Sequence, residues 1–242
     1  MEIKDHITPF TPSSRIGKVL DYSGYDYTGT PNGNILLSSN SPKYQKCTHL
    51  TTDNDNISIP MPNVPTFTYA FWFKRDRVSH TTREMIMTGW YGVSFELNTN
   101  NTLTFKCATG TNHAERNVTT TTTFTSTSAW YHIACTHTDG VGSKIYVNGV
   151  LNNSYSFTEL MGYSTSSAII GKYPGFPFHG YVSDFRLYAN ELSAQDISNL
   201  YHDAFAIDNM QNSYCGELLE DEINEVDINK NGIIKCKEYS EI

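Results

Sequence analysis

The chain has 242 residues and a formal net charge of −8, and its Lys and Arg residues form no cluster that offsets this charge. A negative chain repels polyanions, so the composition excludes nucleic acid and anionic membrane as expected partners. The sequence has no run of about 18 apolar residues that would span a membrane. Its opening residues, MEIKDHITPF, lack the apolar segment of a signal peptide. We therefore expect neither membrane insertion nor a cleaved leader.

The composition favours one β-rich domain. Aromatic residues make up 13% of the chain, which supplies rings to fill the space between two sheets. The 16 Gly residues and the many Thr, Asn and Ser residues are typical of strands joined by turns. The Cys residues are odd in number and show no CxxC spacing, so we expect free buried thiols rather than disulfides or a zinc site. They are Cys47, Cys107, Cys135, Cys215 and Cys236.

The first part of the chain divides into an arm and a loop. Residues 1–14 contain Pro9 and Pro12, and proline removes a hydrogen-bond donor from a β-ladder. We expect these residues to form an N-terminal arm that packs on a neighbouring subunit. Residues 22–30 follow as a polar segment punctuated by glycine. Such turn-forming residues by themselves indicate a structured turn.

The pattern of residues 35–107 predicts a meander of strands. Suitable runs occur at 35–38, 47–51, 57–60, 67–74, 85–87, 93–97 and 103–107, with a hairpin turn at 98–101. The run at 67–74 is apolar on both faces, which predicts a central strand. The threonine-rich run at 119–123 is interpreted as an edge or a loop.

Residues 129–151 predict a strand, a loop, a second strand, a tight turn and a third strand. Alternation with a period of two defines the first strand, and Asn148-Gly149 suits a hairpin turn that needs positive φ. His132 and His137 are separated by an odd number of positions and therefore lie on opposite faces. A joint catalytic or metal-binding role for these two histidines is not expected.

The last predicted elements are two strands and a short helix. The strands lie at 168–172 and 178–188. Ser193 and Asp196 have the spacing of a capping box, so a helix is predicted over 194–201. We expect this helix to plug one end of the core.

Three of these segments resemble the laminin-G-like, concanavalin A-like lectin/glucanase family. Residues 129–151 are similar to its central hairpin, and residues 178–201 to its last strand and closing helix. Asp21-Tyr22-Ser23-Gly24 with Gly29-Thr30 resembles its opening loop. The resemblance covers roughly residues 15–202 and implies an all-β fold, a two-sheet antiparallel jelly-roll sandwich. We therefore predict three parts: an arm at 1–14, a jelly-roll domain at 15–205 and a C-terminal tail at 206–242.

The same resemblance suggests a Ca²⁺ site in the opening loop. Asp21 and Asp26 offer hard oxygen ligands, and Asp184 from the last strand would complete the shell. The alternative is the structured turn that turn chemistry alone indicates.

The tail has two interpretations. Asp227, Asn229, Asn231 and Glu238 match the first, third, fifth and twelfth positions of an EF-hand loop and would bind Ca²⁺. Alternatively, residues 225–239 form a β-hairpin that pairs with a neighbouring subunit. We favour the hairpin because the sequence contains no second loop with which an EF-hand would pair.

The sequence predicts a non-enzymatic protein. Glycoside hydrolysis needs two carboxyl groups about 5–9.5 Å apart, but Glu84 and Glu96 stand alone in their strands and Glu115 lies in a predicted loop. The sequence also lacks the Gly-x-Ser-x-Gly elbow of serine hydrolases.

Two aromatic loops are candidate carbohydrate-binding segments, because a sugar ring stacks on exposed aromatic faces with polar groups beside them. The candidate residues are Trp90, Tyr91, Tyr173, Phe176, Phe178 and His179. The alternative is that these rings cap the core or form a subunit contact.

Residues 21–25, 38–44, 192–201 and 206–209 resemble laminin-G-like modules of phage and other viral virion proteins. This resemblance implies a virion component such as a head or tail fibre, an appendage or a decoration protein. Such a protein is made in the host cytoplasm and assembles as a homo-oligomer or with other virion proteins, with surface glycans as candidate ligands. The alternatives are a carbohydrate-active enzyme or its binding module, and a purely structural module without a ligand.

Overall fold

The fold consists of two seven-stranded sheets that pack face to face. The computed structural model describes residues 19, 27–42, 46–61, 64–78, 81–89, 92–110, 113–162, 167–202, 227–228 and 234–235. Sheet I has the strand order β1-β4-β13-β6-β7-β8-β9, and sheet II has the order β12-β11-β10-β5-β14-β3-β2. The strand ladders within both sheets are antiparallel.

The strands of sheet I are β1 Thr30–Asn32, β4 Asn56–Pro60, β6 Glu84–Thr88, β7 Val93–Leu97, β8 Leu103–Thr109, β9 Ala114–Thr119 and β13 Ser167–Ile170. Those of sheet II are β2 Leu36–Ser38, β3 Cys47–Leu50, β5 Thr66–Arg75, β10 Tyr131–Thr138, β11 Gly142–Val147, β12 Val150–Tyr155 and β14 Gly180–Tyr188. The predicted strands are present with small shifts at their ends. Alternation did not identify β1, which has three residues, or β9, in which only Val118 is buried.

The core lies between the two sheets and is rich in aromatic rings. The inner face of β5 contributes Phe67, Tyr69, Phe71 and Phe73, each at most 2% exposed. This strand pairs with β10 on one side and β14 on the other, so the prediction that it is central is confirmed. Period-two alternation places Thr68, Ala70, Trp72 and Lys74 on the opposite, outer face of sheet II.

The helix α1, described over residues 194–202, packs on that outer face. Its capping box is present: the Asp196 amide donates to Ser193 Oγ at 3.2 Å, and the Ser193 amide donates to Asp196 Oδ2 at 3.0 Å. Ile197 is buried against Ala70 and Ala134, in a cluster separate from the core between the sheets. The prediction that the helix plugs one end of the core is therefore wrong. The space between the sheets is filled by large rings, whereas small alanines on the outer face admit a helix.

The tight turn between β11 and β12 follows the sequence prediction. Asn148 and Gly149 both have positive φ, at 50° and 80°, as a type I′ turn requires. A side chain at position 149 would stand 3.1 Å from Cβ of Tyr201, so the helix also needs glycine here.

In the tail, β15 Asp227–Ile228 pairs antiparallel with β16 Ile234–Lys235. This is the pairing that the hairpin interpretation predicts. Asn229, Asn231 and Glu238 lie outside the described residues, so their predicted role as Ca²⁺ ligands stays a prediction, together with that of the Asp227 side chain. The N-terminal arm at 1–14 also lies outside.

Three of the cysteines, Cys47, Cys107 and Cys135, are buried and form no disulfide, as predicted for free thiols. Burial raises the pKa of Cys47 and of Cys107 to about 12, which keeps both thiols protonated and unreactive. Cys215 and Cys236 are outside the described part of the chain. Within the described residues, no helix is long and apolar enough to cross a membrane.

Candidate functional site

The segment 171–179, here called the crossover loop, leads from β13 in sheet I to β14 in sheet II. At its tip the Phe176 amide donates to the Tyr173 carbonyl at 2.8 Å, which closes a turn over Pro174 and Gly175. Gly175 has a φ of 82°, so proline and glycine occupy the positions that a type II turn prefers. The Met85 amide donates to the Phe176 carbonyl at 3.0 Å and holds the loop against sheet I.

This turn brings two of the predicted carbohydrate-binding rings together. Tyr173 and Phe176 stack with centroids 6.0 Å apart and planes at 22°, and both are partly exposed. Arg83 was not predicted from the sequence, and its guanidinium lies 4.4 Å from the Phe176 ring centroid. Arg83 also pairs with Glu96 at 3.5 Å, so a carboxylate stands behind the cation. The result is a ring pair at the surface with charged groups beside it.

The other residues predicted for this loop do not join the ring pair. Phe178 is fully buried and its ring meets Phe73 in the core at 6.3 Å, so the prediction that it contacts a sugar is wrong. Phe178 stands two residues before β14 begins, and its side chain already points into the space between the sheets. His179 is partly exposed, and its Nε2 lies 2.9 Å from Oδ1 of Asp53. Trp90 and Tyr91 lie outside the described residues, and their predicted role stays a prediction.

Asp184 lies at a bulge in β14, with a positive φ of 48°. Its Oδ1 accepts a hydrogen bond from Arg186 Nε at 2.7 Å. This guanidinium competes with a metal ion for Oδ1, and the predicted role of Asp184 as a Ca²⁺ ligand stays a prediction. Among the described residues, no group of three or more His, Cys, Asp or Glu side chains is arranged to hold a metal ion. Asp21 and Asp26, the other two predicted ligands, lie outside those residues, so the Ca²⁺ site of Asp21, Asp26 and Asp184 stays a prediction.

Metal removal tests the Ca²⁺ proposal directly. If the opening loop binds Ca²⁺, EDTA is expected to lower the melting temperature, because an ion that binds only the folded state stabilises it. Adding excess CaCl₂ should restore the original value. An identical thermal melt with EDTA and with CaCl₂ would remove the proposal.

A buried hydrogen-bonded chain joins Asp139, His137 and Ser143. His137 Nε2 lies 3.0 Å from Asp139 Oδ1, and its Nδ1 lies 3.0 Å from Ser143 Oγ. These three residue types also form the triad of serine hydrolases. Here, however, Ser143 is 4% exposed, and the His137 ring is packed against the rings of Phe67 and Phe157. A nucleophile must be open to its substrate, so this arrangement favours a structural network.

The prediction that His132 and His137 lie on opposite faces of their strand is confirmed. His132 lies on the outer face near Trp72, whereas His137 lies in the core. Glu84 is opposite Leu97 and Met85 is opposite Glu96, so Glu84 and Glu96 lie on different faces of sheet I. These two carboxylates do not form the close pair that a glycosidase needs.

The His137 network predicts a pH-dependent stability. Burial lowers the pKa of His137, and the hydrogen bond to Asp139 offsets only part of this effect. The unfolded chain therefore binds a proton that the folded chain does not, beginning near the unperturbed pKa of about 6.5. Stability is expected to be fully present above this pH and to fall below it, by at most about 1.4 kcal/mol per pH unit from this one group. Urea unfolding at several pH values between neutral and mildly acidic measures the slope.

His137→Gln is the control, because glutamine does not titrate in this range and keeps hydrogen-bonding capacity. The variant should show a flatter pH slope than the wild type. Equal slopes would show that His137 does not cause the acid sensitivity.

A family model for the concanavalin A-like lectin/glucanases superfamily matches residues 30–198. The chain belongs to this superfamily. The match covers both sheets and most of helix α1, and it confirms the jelly-roll sandwich that the sequence resemblance implied. No curated protein sequence gives a significant match.

Solved structures similar to this superfamily member include receptor-binding domains of botulinum neurotoxins. The domain of the C/D mosaic serotype has a TM-score of 0.65 at 16% sequence identity, covering 76% of this chain and 48% of that one. The binding domain of neurotoxin DC in complex with SialylT has a TM-score of 0.63 at 20% identity, covering 76% of this chain and 48% of that one. The serotype D domain in complex with N-acetylneuraminic acid has a TM-score of 0.62 at 17% identity, with the same coverage. This chain spans about half the length of those domains, and the likeness at such identities shows the fold.

Proposed function

We propose that this protein is a non-enzymatic glycan-binding module that binds through its crossover loop. The observation that carries the proposal is the partly exposed ring pair of Tyr173 and Phe176, held at a hydrogen-bonded Pro-Gly turn with Arg83 beside it. Aromatic faces pack against the apolar face of a sugar, and adjacent polar groups fix its orientation. The turn holds the rings in place before binding, which reduces the entropy cost of complex formation.

The similar structures support this class of ligand. Two of them are complexes, one with SialylT and one with N-acetylneuraminic acid. The matched region makes up about half of each of those domains. That this chain binds the same class of ligand is therefore part of the proposal. Superfamily membership is compatible with the proposal because this fold carries binding modules as well as enzymes.

The proposal includes assembly into a virion, as a fibre, appendage or decoration protein. Its support is the resemblance of residues 21–25, 38–44, 192–201 and 206–209 to virion modules. Native mass spectrometry of the purified protein is expected to show a homo-oligomer. A monomer at all accessible concentrations would argue against self-assembly, and immunolabelling of particles then tests assembly with other virion proteins.

Phe176→Ala is expected to weaken glycan binding by about tenfold or more, because a stacked ring contributes roughly 1 kcal/mol beyond its buried area and removing it also loses apolar contact. The measurement is a glycan array with the wild-type protein, followed by calorimetry with the strongest binder. Tyr155→Ala is the matched control: Tyr155 is 47% exposed but lies on β12, remote in sequence from the loop. It should bind as the wild type does.

Three outcomes would contradict the proposal. A silent array for the folded wild type favours a purely structural module. Unchanged affinity of Phe176→Ala would place the site elsewhere. Release of reducing ends from a polysaccharide panel would favour the enzyme alternative.

A further inference from the structure

Four side chains form a row across the outer face of sheet II, here called the aromatic row: His49, Lys74, Trp130 and Tyr181. Tyr181 in β14 is opposite His49 in β3 and opposite Lys74 in β5. Trp130 directly precedes β10, whose first residue pairs with β5. The row therefore crosses four neighbouring strands. It lies just beyond the part of this face where Tyr201 of helix α1 stacks on Trp72.

Each member of the row contacts its spatial neighbour. The rings of His49 and Tyr181 stack with centroids 3.8 Å apart and planes at 8°. The Lys74 Nζ lies 4.1 Å from the Tyr181 centroid and 5.7 Å from the Trp130 ring. Because β14 lies between β3 and β5, His49 and Lys74 approach Tyr181 from opposite sides. Lys74 is only 6% exposed, so its charge is held in place against two aromatic faces.

Polar groups stand at the two ends of the row. The Trp130 indole donates from Nε1 to Asn40 Oδ1 at 3.4 Å. At the other end, Asp76 Oδ2 lies 2.7 Å from His49 Nε2. Trp130, Tyr181 and His49 are partly exposed, and Asn40 and Asp76 flank them at the surface. Partly exposed rings with an amide at one end and a carboxylate at the other provide the elements that a sugar site needs.

We propose that the aromatic row is a second glycan-binding site, selective for neutral hexose-containing glycans. The apolar face of one pyranose packs on the Trp130 indole, where the Asn40 oxygen accepts a hydrogen bond from a hydroxyl group. A neighbouring sugar of the same chain lies at the His49 end of the row and donates to the Asp76 carboxylate. The selectivity follows from charge. The Lys74 cation is nearly buried, whereas the Asp76 carboxylate is exposed, and the net charge of −8 repels anionic polymers.

This inference rests on the proposed function only for the class of ligand. The aromatic row shares no residue with the Tyr173–Phe176 ring pair or with Arg83, which directly precedes β6 of the other sheet. The two sites can therefore be removed one at a time.

The test uses the full chain and two sets of probes: neutral oligosaccharides such as maltoheptaose, cellohexaose and mannohexaose, and sialyllactose as the acidic probe. Trp130→Ala is expected to weaken binding of a neutral probe by about tenfold or more. Trp130→Phe keeps a ring and should retain most of the affinity. Phe176→Ala should leave binding at the row unchanged. In ¹⁵N spectra the Trp130 Nε1–H signal should shift on addition of the neutral probe, which a merely structural tryptophan would not show.

If Trp130→Ala does not fold, Asp76→Asn and Asn40→Ala provide the second test. Both residues are exposed, so these variants should keep the wild-type melting temperature and lose affinity for the neutral probe. The inference is overturned if the wild type binds only sialyllactose, if it binds no neutral probe, or if Trp130→Ala binds neutral probes like the wild type. When Phe176→Ala alone abolishes binding, the proposed function stands and the second site fails.

Discussion

Replacing Glu84 with Gln is expected to destabilise the fold by about 3–5 kcal/mol, because it leaves a buried arginine without its counter-ion. Arg75 and Glu84 are 0% and 1% exposed, with Nη2 and Oε2 3.4 Å apart. Arg75 ends the central strand of sheet II and Glu84 begins β6 in sheet I, so this ion pair joins the two sheets. Burial lowers the pKa of Arg75, and Glu84 is the main group that opposes this shift.

The remaining partners of the arginine explain why it cannot leave the interior. Its Nη1 donates to Asn101 Oδ1 at 2.6 Å and to the Phe124 carbonyl at 2.8 Å. Glu84 also accepts from Arg77 Nε at 2.8 Å, but Arg77 is 41% exposed and can turn towards water. The stability lost in Glu84→Gln is therefore expected to come mainly from the unpaired charge of Arg75.

Urea unfolding of Glu84→Gln measures the effect, with Glu115→Gln as the control. Glu115 pairs with Lys106 at 3.1 Å but is 56% exposed, so its removal should cost less than about 1 kcal/mol. The double variant Arg75→Met with Glu84→Met should recover much of the loss, since apolar side chains of similar volume often replace a buried pair without harm. Equal unfolding midpoints for Glu84→Gln and the wild type would show that the pair is not needed.

Phe95→Ala is also expected to lower the stability by about 3–5 kcal/mol, the usual range for emptying a buried phenylalanine site. Phe95 lies in β7 of sheet I and is fully buried. Its ring contacts Phe71 at 5.0 Å and Tyr69 at 5.7 Å, both in β5 of sheet II, and Phe105 of its own sheet at 5.1 Å. The alanine variant would leave a cavity at the point where the sheets meet.

Phe176→Ala provides the matched control for this prediction. It removes the same side chain from the surface of the crossover loop and should change the stability by less than about 1 kcal/mol. Denaturant unfolding of both variants gives the comparison. If Phe176→Ala proves as destabilising as Phe95→Ala, then the loop ring belongs to the packed core, and its proposed contact with glycans loses support.

The candidate site was only partly predictable from the sequence. Gly and Pro in the crossover loop indicated a surface turn, and the structure places Tyr173 and Phe176 there. The same pattern also included Phe178, which is buried, because composition does not show where a loop ends and the next strand begins. Nothing in the sequence indicated that Arg83 belongs to this site, because its contact with Phe176 joins segments that are distant in the chain.

The features that the sequence determined by itself are those whose causes lie within a few residues. Alternation with a period of two defined β5 and β10, Asn148-Gly149 defined a turn, and Ser193 with Asp196 defined the start of a helix. These signals are local because φ preferences, side-chain alternation and capping bonds act between near neighbours.

Only the tertiary structure decided which of these elements meet. The helix lies on the outer face of sheet II because Ala70 and Ala134 leave room there, and these two residues come from different strands. The Arg75–Glu84 pair and the stacking of His49 on Tyr181 likewise depend on strand order and register. Register is set by the packing of the whole hydrophobic face at once, and no short segment contains that information.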